Sequence, residues 1–194
     1  MISSEGIILQ TIDFKDYDQI LTLFSLHHGI VKLVAKSARR RTSAPLSTLA
    51  RVEFSFTKGN SDLWRCHEIS VVDANIHLRE TLSRLQAGCE MVQALLSTQM
   101  LQNPSPQLYL LSLRYLEKIP EMKDPYTLST SFLLKLLRHE GVLNVENDRG
   151  CFTDAEIVLT THLAQCSLFS ELKELTLDAD YRKKISQFFS QQIQ

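Results

Sequence analysis

The sequence predicts an α+β protein in which a small N-terminal β-barrel is followed by an all-helical domain. Up to about Asp73, short runs rich in Ile, Val, Leu and Phe alternate with turn residues; beyond Ile76, apolar residues recur every three or four positions. A further observation bears on function. One loop of the first half, "AKSARRRTSAP", carries Lys36, Arg39, Arg40 and Arg41 with no acidic residue nearby, although the 194-residue chain has a formal net charge of -1.

The strands are read in order. "GIILQTID", "DQILTLFS" and "GIVKLVAK" are separated by "FKDY" and "LHHG", where Asp and Gly supply turn chemistry. "RVEFSFTK" alternates strictly, with Val52, Phe54 and Phe56 on one face and Arg51, Glu53, Ser55 and Thr57 on the other. After a "KGNSD" loop, "LWRCHEISVV" makes a fifth strand. Five short strands with one long basic loop between the third and fourth suit a five-stranded barrel of the OB type.

The helical half is read from Leu82, Leu85, Cys89, Val92, Leu96 and Met100, which share one stripe of a helix ending near "QNPSP". A second helix is predicted over 107–118 and stops at Pro120. A third runs over 125–139, with Pro at its first turn, Lys, Arg and His in its last, and Gly141 after it. Further helical patterns cover 154–165, 167–174 and 178–192, and the segment from Gly141 to Thr153 reads as loop. The expected division is residues 1–78 as barrel and 79–194 as helical domain.

Composition bounds the function classes. An apolar content of 44% is ordinary for a globular chain and sufficient for a core without metals or disulfides. Cys66, Cys89, Cys151 and Cys166 are scattered, with no CxxC pair, and "MISSEGIILQ" lacks the basic start of a secretory signal, so the thiols are expected to be reduced in a cytoplasmic protein. The longest apolar runs fall far short of the roughly 20 residues a membrane span needs, and no membrane partner is expected. Charge is unevenly divided: residues 1–79 carry +2 and residues 80–194 carry -3. The positive excess is concentrated on the basic loop, and a partner within about 8–10 Å senses it locally.

Arginine presents a planar fork suited to phosphate, and OB barrels bind oligonucleotides in grooves bordered by their loops. The residues expected to track phosphates are Lys36, Arg39, Arg40 and Arg41, extended by Lys32, Arg51 and Lys58 on neighbouring strands. Trp64 and Tyr17 sit beside turns and are the candidate stacking aromatics, whereas Phe54 and Phe56 read as core. Trp64 is equally readable as a plug for the barrel end. On the helical side, Lys135 and Arg138, three apart near a helix C-terminus, are the candidate receptors for an acidic partner peptide.

Enzymatic readings are weaker. His27 and His28 lie in a turn, neighbouring Cys66 and His67 point to opposite faces of a strand, and no phosphate-cradling glycine motif or Ser-His-Asp pattern appears. Asp13, Asp16 and Asp18 form an acidic group whose spacing reads as a turn rather than a nuclease centre. Two non-catalytic alternatives remain: an OB-type RNA-binding protein of translation or RNA processing, and an interaction scaffold whose basic loop docks an acidic protein.

The stretch "GIILQTIDFKDYDQILTLFSLHHGIVKLVAKSARR" resembles the N-terminal domain of the bacterial recombination mediator family RecO. Gly6, Asp16, Asp18, Ile20, Leu21, Leu23, Phe24, Gly29, Val31, Ala35, Lys36, Ala38, Arg39 and Arg40 fall on the family pattern, and Lys58, Gly59 and Leu63 on its Lys-Gly-x-x-x-Leu hairpin. The resemblance implies a non-catalytic protein of DNA repair and recombination. Such a protein binds single- and double-stranded DNA, anneals complementary strands, contacts the acidic C-terminal tail of single-strand-binding protein (SSB), and joins RecR to load RecA. There are departures. Ser37 stands where the family has Gly, the chain is shorter than typical members, and the four-cysteine zinc module of many members is absent. Only Cys151, His162 and Cys166 remain in a degenerate region at about 141–166, so no metal and no cofactor are expected.

Overall fold

The computed structural model describes residues 1–36, 45–59, 61–144 and 152–193. The chain forms two compact units, one of residues 1–77 with 98–113 and the other of residues 78–97 with 114–194.

The first unit is built on a closed five-stranded barrel: β1 (Ile2–Phe14), β2 (Asp18–Ser25), β3 (Gly29–Ala35), β4 (Arg51–Thr57) and β5 (Leu63–Asp73), in the order β1-β2-β3-β5-β4. All neighbours are antiparallel except β3 and β5, which run parallel from Lys32 opposite Leu63 to Ala35 opposite Cys66. β1 is longer than its sequence pattern suggests because it has two partners. Residues 2–7 pair with β4 and residues 6–14 with β2. Between Ile8 and Gln10 the register shifts, and such a bulge bends a strand enough to serve both sides of a barrel. Next to the bulge, Ile8 N–H donates to Ala50 O at 2.9 Å and Leu49 N–H to Ile8 O at 2.8 Å.

Alternation then decides what faces inward. Ile8, Leu21, Leu23, Val31, Leu33 and Phe54 are among the inward residues, and all are nearly inaccessible. Trp64 joins them, stacked on Phe56 with centroids 5.1 Å apart and planes 5° from parallel. Burying rings of this size contributes about 4–6 kcal/mol each by area. Residues 98–113 complete the unit. Gln102 N–H donates to Ile30 O at 2.9 Å, and Tyr109 packs edge-on against Phe24 at 5.9 Å.

The second unit is helical. Its elements are α1 (Leu82–Thr98), the end of α2 (Pro106–Lys118), α3 (Pro125–His139), α4 (Asp154–Gln165), the single turn α5 (Phe169–Leu172) and α6 (Ala179–Gln192). α3 is the buried centre, and from Pro125 to Leu137 only Tyr126 and Lys135 escape full burial. Its Ser/Thr-rich stretch would be costly there unless every hydroxyl were bonded. Thr127 donates to Leu175 O, Ser129 to the Glu90 carboxylate and Ser131 to Leu163 O, at 2.9, 2.6 and 2.7 Å. Tyr115 Oη lies 3.0 Å from Ser131 Oγ, and burial raises its phenol well above the usual range.

Helix boundaries follow their caps. Asp124 accepts from Tyr126 N–H ahead of α3, with Pro125 in the first turn and Gly141 at φ +75° beyond its end. Thr153 and Glu156 form a reciprocal capping box on α4. The hydrogen bond from Lys184, together with those from Thr153, holds the Glu156 carboxyl down at about 2. Among the described residues, no helix is long and apolar enough to cross a membrane.

Gly29 generates a prediction. It sits at φ +64°, and a Cβ there would lie 2.2 Å from the Asn103 carbonyl oxygen, a backbone atom that cannot swing away. Gly29→Ala is expected to destabilise the chain by more than the ~1–2 kcal/mol of a left-handed L-residue alone. Denaturant unfolding checks this, and an unchanged midpoint would contradict it.

Candidate nucleic-acid interface

The barrel register assembles an outer surface on four adjacent strands. Because Leu21, Leu33 and Trp64 point inward, their neighbours along each strand point outward. One outward row crosses the sheet as Gln10, Thr22, Lys32 and Leu63, of which Thr22 is buried and the other three are exposed. The next row is Ile12, Ile20, Val34 and Arg65. At the end of this face the β1–β2 hairpin adds Phe14, Lys15 and Tyr17, with the Lys15 ammonium 5.3 Å from the Phe14 ring centroid. Ile12, Phe14, Tyr17 and Leu63 are all exposed large side chains. Lys15, Lys32, Lys36 and Arg65 border them and are also exposed. An apolar strip with aromatic ends and a basic margin combines the two ingredients of single-strand binding, stacking faces and phosphate contacts.

The expected site residues fall differently on this framework. Lys32 is outward and central, and Lys36 follows directly on β3. Arg39, Arg40 and Arg41 lie outside the described residues. Arg51 belongs to the β1–β4 side, half-buried, its Nη2 donating to Glu5 Oε2 at 2.9 Å. Lys58 is exposed, its ammonium 4.9 Å from the centroid of the Trp64 ring.

The structure also places Trp64, Lys135 and Arg138. Trp64 is 2% exposed and stacked on Phe56, so its ring plugs the barrel and is unavailable to a base. The Lys135 ammonium donates to Cys166 O at 2.6 Å and Ala164 O at 3.4 Å, and Arg138 Nη1 lies 3.5 Å from Ala164 O. These two side chains therefore satisfy the carbonyls at the end of α4, where a helix carries partial negative charge. Burial, the largest cause, lowers the Lys135 pKa, and Arg138 adds to it.

The helical unit offers another feature. A groove of about 950 Å³ between α1, α3 and α6 has Ala94, Leu133 and Phe189 among its apolar lining and Arg182 and Lys183 as its basic residues. The Arg182 guanidinium lies over the Tyr126 ring at 4.1 Å.

The groups considered for catalysis do not converge. Cys66 is buried, with its thiol pushed up to about 11, while His67 points outward and bonds Thr57 Oγ1 at 2.7 Å. His28 packs edge-on against Phe56 at 5.2 Å, and burial, Lys58 and His27 together lower its pKa. Asp13 accepts from Gln19 Nε2 at 3.2 Å within the hairpin. Among the described residues, the metal-ligating side chains that do come together are His162, Cys166 and Glu171. The sequence reading missed Phe14, assigned to a turn, and Arg65. Strict alternation along β1, broken by the bulge, would have been the signal for the first.

Residues 1–75 match the family "Recombination protein O N terminal". The chain is similar to the DNA repair protein RecO of Chlamydia muridarum (strain MoPn / Nigg), 39% identical over 94 residues, covering 48% of this chain and 40% of the relative. It is 34% identical over 143 residues to that of Symbiobacterium thermophilum, covering 71% of this chain and 55% of the relative. The match to Chlamydia pneumoniae RecO is 29% over 146 residues, covering 72% and 56%. The matches thus span about half, or less, of these relatives' own length.

The burial of Trp64 is testable. Trp64→Ala is expected to cost about 3–5 kcal/mol of stability, the range for a buried Trp or Phe truncation. Phe14→Ala is expected to leave stability within about 1 kcal/mol while weakening single-strand binding. Paired unfolding and anisotropy measurements check both, and a stable Trp64→Ala variant defective only in binding would restore the stacking role.

Proposed function

The chain belongs to the RecO family through its N-terminal domain, and from that premise we propose that it serves DNA repair and recombination as a non-catalytic DNA-binding mediator. The observation that carries the reading is the outward face of β1, β2, β3 and β5. There Lys32, Lys36 and Arg65 border the exposed Ile12, Phe14 and Leu63. The run Arg39–Arg41 follows Lys36 in the chain and extends the same basic composition.

Such a face holds backbone phosphates and offers apolar and aromatic surface to bases without reading their edges. Binding of this kind is indifferent to sequence, so complementary strands brought together are selected by base pairing alone. Single- and double-stranded DNA are both proposed ligands, and annealing of strands is the proposed activity. The helical unit is proposed to receive protein partners: RecR and the acidic tail of SSB, with RecA loaded as the consequence. For an acidic tail with an apolar end, the groove with Arg182, Lys183, Leu133 and Phe189 is a better receptor than Lys135 and Arg138. A cytoplasmic location follows from this role.

An RNA-binding reading rests on the same surface. Titrating DNA and RNA of one sequence separates the two, because no feature of the face selects for the 2′-hydroxyl.

The test of phosphate tracking is salt dependence. Changing Arg39, Arg40 and Arg41 together to Ala is expected to weaken binding to all sequences alike. It should also flatten the salt slope by roughly 2, at about 0.7 per lost single-strand contact. Fluorescence anisotropy at several salt concentrations measures it, and an unchanged slope would contradict the assignment.

A further inference from the structure

We propose that His162, Cys166 and Glu171 form a binding site for one divalent transition-metal ion of the zinc class. His162 stands in the last turn of α4, Cys166 follows that helix directly, and Glu171 lies on α5. Their donor atoms all lie within 4.8 Å of one another. Cys166 Sγ is 3.5 Å and His162 Nε2 3.8 Å from the same oxygen, Glu171 Oε2.

These distances can be compared with what zinc requires. Bonds of about 2.3 Å to sulfur and 2.0–2.2 Å to nitrogen and oxygen, at tetrahedral angles, place donor atoms roughly 3.4–3.6 Å apart. The sulfur–oxygen edge already has that length, and the nitrogen–oxygen edge is within a few tenths of an ångström. Closing the sulfur–nitrogen edge needs only a swing of the His162 ring, which is about half exposed. The three donors make one face of a tetrahedron, and the fourth position is left to water.

The donor set also selects the ion. Imidazole, thiolate and carboxylate together suit zinc and its neighbours, whereas calcium and magnesium prefer oxygen alone. On binding, the Sγ–H bond breaks, the proton leaves to solvent, and the sulfur lone pair forms the metal bond; no electron is transferred. The thiol now donates to Leu168 O at 3.2 Å, a neutral hydrogen bond that this exchange replaces. Burial is the largest cause that raises the pKa of the Cys166 thiol, and the Glu171 carboxylate adds to it, while the Leu168 carbonyl and the Lys135 ammonium bonded to Cys166 O act the other way, so the metal itself must drive the loss of the proton.

The site differs from a four-thiolate module. Among the described residues Cys66 is in the barrel and Cys89 on α1, both distant in sequence from Cys166, and the carboxylate that completes this cluster comes from a helix beyond the degenerate region. Its structural effect would be to staple α5 to the end of α4.

The experiment uses the full chain, stripped of metal by a chelator and titrated with Co²⁺ as the probe. One equivalent is expected to bind with a thiolate-to-cobalt charge-transfer band, and Zn²⁺ should displace it. Cys166→Ser is expected to abolish the band. His162→Ala and Glu171→Gln, at exposed positions, should each weaken binding at least tenfold, and Cys89→Ser should leave it unchanged. The proposal is overturned if wild-type protein shows no thiolate band, if the band survives Cys166→Ser, or if both the His162 and Glu171 variants bind as wild type.

Discussion

Closure of the barrel is the constraint on which the first unit depends. A sheet of five short strands closes only if β1 reaches partners on both sides and β3 meets β5. The bulge between Ile8 and Gln10 accomplishes the first. The second requires parallel pairing, so the chain must leave the end of β3 and return through β4 before β5 can lie alongside it. In the chain, the basic run Arg39–Arg41 falls between β3, a strand of the candidate face, and β4.

Closure also fixes which side chains face out. With Leu21, Leu33 and Trp64 committed to the interior, the period of two leaves Lys32, Val34, Ile12 and Arg65 outside in register. On the other side of β1, Arg51 and Glu5 neutralise each other. The barrel therefore carries Lys32, Lys36 and Arg65 exposed on one margin and the Arg51–Glu5 ion pair on another. A polyanion would be drawn to the first.

Much of this was legible in the sequence, for identifiable reasons. β2 and α3 were readable to their ends because turn residues or caps bound them: Ser25 precedes the "LHHG" turn, and Asp124, Pro125 and Gly141 frame α3. β1 was not, since a bulge breaks its alternation and places Phe14 on an exposed strand end. Trp64 was ambiguous because a residue beside a turn can point either way, and its stack on Phe56 comes from a different strand. Lys135 and Arg138 read as a cationic patch, yet the carbonyls of Ala164 and Cys166 that engage them are some 26–31 residues distant in sequence. Glu171 escaped for a different reason: it is close in sequence to Cys166, but only the turn after Cys166 brings its carboxylate to the thiol.

The central claim is that the outward face of β1, β2, β3 and β5 holds single-stranded nucleic acid. The most direct measurement is methyl and amide chemical-shift mapping of the full chain during titration with a short single-stranded DNA. The account predicts saturable shifts concentrated at Ile12, Ile20, Val34 and Leu63, with the amides of Glu5, Arg51 and Glu53 unmoved. Shifts centred on the β1–β4 side, or none on the barrel at a concentration where anisotropy reports binding, would contradict it.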